Sequence, residues 1–236
     1  MKDRPIIGIA LDCDYKNTTT NVATYSLQTT YSKTLSQLGA ITLAIPHEYS
    51  LINEYIKLVD GLIITGGGLD VPPEYYGSLK YHQSITADTK RTEFEMELTK
   101  AFLKTNKPLL GIGGGQELLS VIFGGNIIQD IPTNIGIDIN HEQPGLDYTA
   151  HAVTIKAETL LAKIVKKDKI EVNSKHHQAT RDVPENIIIN AIAPDGVIEG
   201  IENPKYHFCL GVLWHPEYLT TQADSLIFQA FIKACK

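Results

Sequence analysis

Short apolar runs alternate with segments of helical spacing along the first third of the chain. The runs at residues 6–11, 40–45 and 61–65 lack the polar alternation of a half-exposed sheet, which is typical of strands covered on both faces. Apolar residues recur at helical spacing in the segments 27–38 and 50–58 between these runs. This alternation of strands and helices predicts a parallel sheet of the α/β class.

Capping residues mark the ends of the predicted helices. Gly39 follows the first helix as a C-terminal stop, and Ser50 is placed to cap the second. Asp88 is a natural N-cap for a third helix that continues through Leu98. The polar segment 12–24, between the first strand and the first helix, is predicted to be a loop.

The C-terminal half predicts shorter strands joined by hairpins. The strands are expected at residues 124–129, 151–155, 169–172, 186–193, 197–201 and 208–213. Turn sequences at residues 194–196 (Pro-Asp-Gly) and 203–204 (Asn-Pro) indicate hairpins between neighbouring strands, and therefore a small antiparallel section. The polar segment 130–150 is predicted to run over the site side of the sheet, and a last helix includes residues 226–234.

A glycine-rich turn follows the apolar run at residues 109–112 and leads into a short helix. A strand that breaks sharply into a helix raises one side chain above the sheet, beside the N–H groups of the helix start, and hydrolases place a nucleophile there. Here the raised position is Gly113, which has no side chain. A structural turn without chemistry explains the same residues, so this motif alone leaves both interpretations open.

A second glycine-rich segment, Gly66-Gly67-Gly68, follows the strand predicted at residues 61–65. Ligands in open α/β sheets bind beyond the carboxyl ends of the strands, and glycines there free backbone N–H groups to form an oxyanion hole. A flexible surface loop is the alternative. The pattern does not indicate which of the three N–H groups faces a site.

A histidine and a glutamate follow the last predicted strand with one proline between them. Residues two apart in extended chain face the same way, and Pro216 restricts the backbone of His215 before it. The carboxylate of Glu217 is therefore placed to orient the His215 ring, which is the base–orienter half of a catalytic triad. A histidine and a glutamate in a surface turn are the plainer alternative.

Two adjacent histidines, His176 and His177, lie at the end of another predicted strand. Neighbouring side chains in extended chain point in opposite directions, and no carboxylate or cysteine stands at ligand spacing beside them. No metal site is expected from this pair, and no cofactor is expected elsewhere.

The composition narrows the class of protein. An apolar content of 43% and a charged content of 20% in 236 residues are ordinary for one globular domain, and a formal charge of -6 argues against nucleic acid as a main partner. The three cysteines, Cys13, Cys209 and Cys235, are far apart and suggest neither a disulfide frame nor a zinc site. No signal peptide or membrane span is predicted, so a cytoplasmic protein without membrane contact is expected.

Five motifs along the chain resemble, in order, those of the class I glutamine amidotransferase-like superfamily, and most closely its γ-glutamyl-γ-aminobutyrate hydrolase branch. They lie at residues 67–77, 88–95, 111–117, 172–178 and 214–217. The branch pattern at the glycine turn reads G-I-C-x-G-x-Q, so its cysteine falls on Gly113 and its glutamine on Glu117.

The resemblance implies one α/β domain over residues 1–236, with a flavodoxin-like three-layer sandwich and a mostly parallel central sheet. It implies hydrolysis of γ-glutamyl amides, such as γ-glutamyl-GABA or a γ-glutamylated polyamine, by a Cys-His-Glu triad at Gly113, His215 and Glu217. The oxyanion-hole positions implied are Gly67, Gly68 and Gly114. The substrate-binding positions implied are Glu117, Arg91, Ser174, His176, His177 and Gln178.

Two departures from the branch pattern limit what the resemblance predicts. Gly113 offers no nucleophile, so the chain is expected to be nearly inactive, through either natural loss or deliberate replacement of a cysteine. A binding protein or pseudoenzyme that keeps the γ-glutamyl pocket is the alternative to an enzyme. Glu117 would repel a glutamyl carboxylate unless it is protonated, or it would attract an amine. The expected partner is a small γ-glutamyl compound, and a homodimer is left open.

Overall fold

One continuous sheet, parallel on one side and antiparallel on the other, positions the candidate site. The computed structural model describes residues 4–14, 22–68 and 70–236. Its strands within these ranges are β1 (Ile6–Ala10), β2 (Asp12–Asp14), β3 (Thr24–Ser26), β4 (Ile41–Ile45), β5 (Gly61–Ile64), β6 (Leu109–Ile112), β7 (Asn126–Ile128), β8 (His151–Ile155), β9 (Lys169–Val172), β10 (Ala179–Asp182), β11 (Ile188–Ile192), β12 (Ile198–Glu202) and β13 (Cys209–Val212). Its helices are α1 (Thr29–Gln37), α2 (Ile52–Leu58), α3 (Thr89–Leu103), α4 (Gly114–Ile122), α5 (Ile131–Asn134), α6 (Leu160–Val165) and α7 (Gln222–Ala234).

The sheet joins a parallel half to an antiparallel half at β13. Strands β4, β1, β5, β6 and β13 are parallel neighbours in that order. From β13 the sheet continues through β12, β11, β8 and β9, all antiparallel, and β10 pairs with both β12 and β7. The mixed α/β fold predicted from the sequence is confirmed, although its antiparallel section is more extensive than expected.

Helices cover both faces of the parallel half, which makes three layers. Leu62 and Ile64 of β5 pack in a buried cluster with residues of α2, α3 and α4. Ile63, between them, points to the opposite face and packs in a cluster with residues of α1 and α7. This arrangement explains the absence of polar alternation in the strand.

Three parallel strands end at the same edge of the sheet. In register, Ile64 of β5 lies opposite Gly111 of β6, and Ile112 of β6 lies opposite Val212 of β13. The glycine triplet follows β5, Gly113 follows β6, and His215 comes soon after β13. The parallel pairing therefore brings the three candidate segments together, although they are far apart in the chain.

Several predicted boundaries and caps are confirmed. Asp88 caps α3 and accepts hydrogen bonds from the N–H groups of Lys90 at 2.9 Å and Arg91 at 3.2 Å. Gly39 follows α1 with a φ of 87°, as expected of a C-terminal stop. The hairpin sequences at residues 194–196 and 203–204 connect antiparallel neighbours, as predicted.

Two local predictions are wrong. Ser50 does not cap α2, because a 3₁₀ turn at Tyr49–Leu51 leads directly into the helix and its N-cap is Leu51, without a side-chain cap. The segment 12–24 is not simply a loop, because β2 and β3 pair as a separate antiparallel ribbon. These strands are short and polar, so hydrophobic periodicity does not reveal them. The rest of that predicted loop, residues 15–21, lies outside the described residues.

The helices have modest lengths. The longest helix in the described ranges, α3, has 15 residues. No described helix has both the length and the hydropathy that a membrane crossing requires.

Candidate active site

Gly113 forms the sharp turn between β6 and α4. Its φ of 56° and ψ of -123° form a combination that side-chain-bearing residues adopt only under strain. Its N–H donates to the Val212 carbonyl at 2.9 Å, and its carbonyl accepts from the Gln116 N–H at 2.8 Å. A Cβ built on Gly113 would lie 3.3 Å from Cε1 and 3.6 Å from Nε2 of His215. A side chain at this position would therefore point directly at the imidazole.

The His215 ring is paired with a buried carboxylate. Its Nδ1 lies 2.9 Å from Oε1 of Glu217, whose side chain is fully buried. Burial alone would lower the pKa of His215, but the charge and hydrogen bond of Glu217 outweigh that effect, so the pKa is raised. Nδ1 is paired with Glu217, so Nε2, 3.6 Å from a Cβ built on Gly113, is the ring nitrogen on the side of the turn.

Asn173 holds the backbone of His215 from both sides. Its Oδ1 accepts from the His215 N–H at 2.9 Å, and its Nδ2 donates to the His215 carbonyl at 2.9 Å. The same Nδ2 lies 2.9 Å from the Leu146 carbonyl and 3.1 Å from Oγ1 of Thr220. Sequence reasoning included Asn173 in a motif but assigned it no role, because its partners lie 27 to 47 residues away.

The glycine triplet approaches the turn through its first member. A Cβ built on Gly66 would lie 3.4 Å from the Gly114 nitrogen and 3.5 Å from Cε1 of His215. The sequence left open which glycine of the triplet faces the site, and the resemblance implied Gly67 and Gly68; Gly66 is the one nearest the end of β5 and the turn. Gly114 begins α4, where backbone N–H groups have no acceptor within the helix. The N–H groups around Gly66 and Gly114 therefore form the candidate oxyanion hole.

Arg91 lies beneath the glycine loop and not in the cavity. Its guanidinium donates to Glu95 at 3.0 Å and to Asp12 at 2.9 Å. It also donates to the carbonyls of Thr65 at 3.3 Å and Gly66 at 3.2 Å. The side chain is 5% exposed, so the structure places this predicted substrate-binding residue in a supporting position.

A cavity of about 220 Å³ lies over the turn. Most of the predicted site residues line it, namely Gly67, Gly68, Gly113, Gly114, Glu117, His176, His177, Gln178 and His215. It is also lined by Gly66 of the same triplet and by Asp70, Glu142 and Lys175, which were not among the predicted site residues. Ser174 is fully buried behind this wall, where its Oγ donates to the His141 carbonyl at 2.8 Å.

A second cavity of about 340 Å³ meets the first one. The two share Lys175, His215 and the glycine triplet, and the second continues past Tyr31, Gln28 and Tyr218. Two larger grooves, of about 620 and 600 Å³, lie along the outer surface of α3. Of the residues that the structure describes, no glycine turn or histidine lines either groove, so the paired cavities are the better candidate for chemistry.

Glu117 reaches the cavity from the first turn of α4. It is 5% exposed, and its Oε1 has no hydrogen-bond partner among the described residues. Burial, followed by repulsion from Asp70, raises the pKa of Glu117 to about 8, although His177 acts in the opposite direction. The side chain is therefore mainly a neutral carboxylic acid at pH 7, able to donate a hydrogen bond as the amide of glutamine does.

His177 is the exposed member of the histidine pair. Its Nε2 lies 3.0 Å from Oδ1 of Asp70, and this hydrogen bond raises the pKa of His177 against the effect of its partial burial. Gln178, beside it, donates to the Gln129 carbonyl at 3.3 Å. The cavity thus combines acidic and basic groups on facing walls.

The cysteines do not replace the missing thiol. Cys209 begins β13, and the Sγ of Cys235 lies against Gly61 at the start of β5, both at the end of the sheet opposite Gly113. Burial raises the pKa of each of these two thiols to about 12, so both are protonated at neutral pH. Cys13, in β2, is not among the described residues that line either cavity.

A sharp strand–helix turn that faces a histidine–carboxylate pair, at the carboxyl edge of a parallel sheet, is the arrangement expected for the glutamine amidotransferase-like class. Comparison with known families agrees with this class. The chain belongs to the Peptidase C26 family, whose profile matches residues 5–217.

Relatives within this family match the chain over almost its full length. A glutamine amidotransferase-like protein of Rickettsia prowazekii is 32% identical, with 100% of this chain and 99% of the relative covered. The γ-glutamyl-γ-aminobutyrate hydrolase of Escherichia coli O157:H7 is 28% identical, with 99% and 94% covered.

Solved structures share the fold. A Thermoplasma acidophilum protein described as a GMP synthase subunit superposes with a TM-score of 0.67 at 17% identity, covering 98% of this chain and 94% of that one. The glutaminase domain of Trypanosoma brucei CTPS, with bound acivicin, gives a TM-score of 0.64 at 15% identity, covering 98% and 93%. At these identities the likeness shows the fold alone.

Proposed function

We propose that this chain binds γ-glutamyl amides in the paired cavities and hydrolyses them only at a residual rate, because its site lacks the nucleophilic thiol. The observation that carries the proposal is the geometry at Gly113. A Cβ built there would lie 3.6 Å from Nε2 of His215, whose other ring nitrogen pairs with Glu217. This geometry supports a role for His215 as base and for Glu217 as its orienting carboxylate, opposite a turn that carries no side chain.

The chemistry follows from these positions. A thiolate at residue 113 would attack the amide carbon, and the resulting oxyanion would face the N–H groups around Gly66 and Gly114. His215 would take up the thiol proton and pass it to the leaving amine, while Glu217 keeps the ring oriented. Without the thiol, only a water positioned by His215 remains, and loss of a triad nucleophile typically costs on the order of 10⁶ in kcat.

The shape of the site supports a substituted amide as ligand. A γ-glutamyl group in the first cavity would place its amide carbonyl near Gly113, so that the amine portion continues into the second cavity beside Tyr31. The first cavity faces the ligand with acids and bases together, including Asp70, His177 and Lys175, which suits a group carrying both an ammonium and a carboxylate. The protonated Glu117 would donate to that carboxylate.

The relatives support the same substrate class. The E. coli relative is named for hydrolysis of γ-glutamyl-γ-aminobutyrate and aligns over 99% of this chain. We therefore take γ-glutamyl-GABA as the first ligand to test, with other γ-glutamyl amines and glutamine beside it.

Binding without turnover is the measurable signature. Thermal unfolding with γ-glutamyl-GABA should show a rise in Tm, because a ligand specific for the folded state stabilises it by mass action. The isomer α-glutamyl-GABA has the same atoms with a different linkage and should give a smaller rise. No shift with any γ-glutamyl amide at millimolar concentration would contradict the proposed ligand class. Rapid glutamate release by the unmodified chain would contradict the proposed loss of activity.

A further inference from the structure

Three histidines surround a buried carboxylate behind the wall of the first cavity. Oε1 of Glu199 lies 3.2 Å from Nδ1 of His141, 3.4 Å from Nε2 of His151 and 3.5 Å from Nε2 of His176. Glu199 is on β12 and His151 begins β8, while His176 follows β9. The Glu199 side chain is fully buried and that of His141 is 3% exposed, so water cannot easily solvate this group of charges.

The atoms that face one another in this cluster lack hydrogen bonds. Nδ1 of His141, Nε2 of His151, Nε2 of His176 and both carboxylate oxygens of Glu199 have no hydrogen-bond partner among the described residues. The N···O distances between the histidines and Glu199 are within the range of ion pairs, but these contacts do not have hydrogen-bond geometry. Unpaired polar atoms in a protein interior are costly, so this convergence of five of them requires an explanation.

The outer ring nitrogens of two histidines are already engaged. Nε2 of His141 lies 2.9 Å from Oδ2 of Asp195, and Nδ1 of His176 lies 2.9 Å from the Gln178 carbonyl. Both outer partners are acceptors, so with a metal bound the outer nitrogens would keep their protons and the inner nitrogens would offer lone pairs to the ion. Histidines that bind metals are held in this way, by a carboxylate or a backbone carbonyl on the far nitrogen.

We propose that His141, His176 and Glu199 bind a zinc ion. The facing atoms of His141, His176 and Glu199 all lie within 4.8 Å of one another. Tetrahedral zinc with bonds of about 2.0–2.1 Å keeps neighbouring ligand atoms about 3.3 Å apart, close to the 3.2 and 3.5 Å that separate Oε1 of Glu199 from the facing nitrogens of His141 and His176. Imidazole nitrogens favour zinc over magnesium or calcium, which prefer oxygen ligands.

The proposed site differs from the expectation drawn from the adjacent histidines alone. Only His176 of that pair faces the cluster, while His177 points into the cavity toward Asp70. The carboxylate that the sequence lacked at ligand spacing comes from a different strand, as Glu199. The His176 N–H already donates to the His141 carbonyl at 2.9 Å. A bound ion would add a second link between the segment around His141 and the cavity wall.

Metal analysis of the unmodified chain tests the site without any activity assay. Protein purified without a histidine tag or chelator should carry about one zinc ion per chain by mass spectrometry. Removal of the metal with dipicolinate should lower the Tm, and Zn²⁺ but not Mg²⁺ should restore it. Cobalt substituted for zinc should give the visible absorption of a tetrahedral site without a thiolate charge-transfer band, which excludes the cysteines as ligands.

Two conservative variants locate the ion. Glu199→Gln and His176→Gln should each reduce zinc content at least tenfold, while His207→Gln, at an exposed histidine, should retain it. If either cluster variant does not fold, the metal content and the zinc-dependent Tm of the unmodified chain test the proposal instead. A metal-free chain whose Tm does not respond to Zn²⁺ would overturn the proposal. Full zinc retention by Glu199→Gln, or equal loss from His207→Gln, would overturn it as well.

Discussion

The backbone of Gly113 and the imidazole of His215 face each other across a gap that fits one small side chain. A Cβ built on Gly113 lies 3.3 Å from the His215 ring, a close contact that a small shift of the ring would relieve. A cysteine there would place its sulfur beside Nε2, in the position of a triad nucleophile.

Gly113→Cys should therefore raise glutamate release from γ-glutamyl amides by several orders of magnitude, toward the roughly 10⁶-fold that a triad nucleophile contributes. The substitution should also lower stability by about 1–3 kcal/mol, because the turn keeps φ in a region that is strained for cysteine. A coupled glutamate assay and denaturant unfolding measure the two effects.

Gly113→Ala is the matched control for that experiment. It adds the same Cβ and the same backbone strain without a thiol, so it should lose similar stability and gain no activity. Equal activity in the alanine and cysteine variants would show that the thiol is not the nucleophile. A folded cysteine variant that is inert toward every γ-glutamyl amide would favour a pocket with another ligand.

Glu117 should make stability depend on pH. Its pKa is raised from 4.5 to about 8 by burial, so the folded state binds its proton more tightly than the unfolded state. The stabilisation from this proton is complete below about pH 4.5 and is lost as the pH rises through about 8. Glu117→Gln removes the titration, so the variant should gain stability relative to the parent as the pH rises from about 5 to about 8.

Urea unfolding of parent and variant at intervals across that range measures the difference, which should reach a few kcal/mol. Glu142→Gln, at an exposed residue of the same cavity, is the control and should show little change in stability. A difference between parent and Glu117→Gln that stays flat across the range would mean that Glu117 remains ionised in the folded protein.

Gly67 and Gly68 should respond differently to the same substitution. A Cβ on Gly67 would lie 1.9 Å from Nη1 of Arg91, whereas a Cβ on Gly68 meets no atom within 4 Å. Since four hydrogen bonds hold the Arg91 guanidinium, it cannot move aside without losing some of them. Gly67→Ala should therefore cost about 1–3 kcal/mol and weaken ligand binding, and Gly68→Ala should stay within about 0.5 kcal/mol of the parent.

Thermal unfolding and ligand titration of the two alanine variants test this pair. Equal losses of stability would indicate that the loop is not supported by Arg91. A larger loss from Gly68→Ala would contradict the proposed packing directly.

Asn173→Asp should destabilise the protein by about 2–5 kcal/mol. The substitution keeps the size of the side chain but turns the buried Nδ2 donor into an oxygen that faces the carbonyls of Leu146 and His215. In the Gly113→Cys background it should lower kcat more than it raises KM, because it disturbs the position of the base. Asn140→Asp, at an exposed asparagine, is the control for the added charge, and an equal effect there would contradict the role of Asn173.

Local spacing explains why part of the site was predictable from sequence. Gly113 lies at a local turn, and His215 and Glu217 are two residues apart, although a 3₁₀ turn at Pro216–Tyr218 joins them instead of the extended chain that was predicted. The positions of Gly66 and Arg91 depend on how a loop packs on a helix 25 residues away along the chain, so the sequence left open which glycine faces the site and gave Arg91 as a substrate-binding residue. The cluster around Glu199 forms from segments that come together only in the folded sheet, and no local sequence pattern indicates it.

The side-chain-free turn at Gly113 also has an evolutionary consequence. Glycine relieves the backbone strain that a cysteine would bear at the same φ, so stability and hydrolytic competence favour different residues at this single position. Two of the four glycine codons are one base change away from a cysteine codon. Lineages selected only for folding and binding would keep the glycine, whereas selection for hydrolysis would need a single point mutation, provided that His215 and Glu217 remain in place.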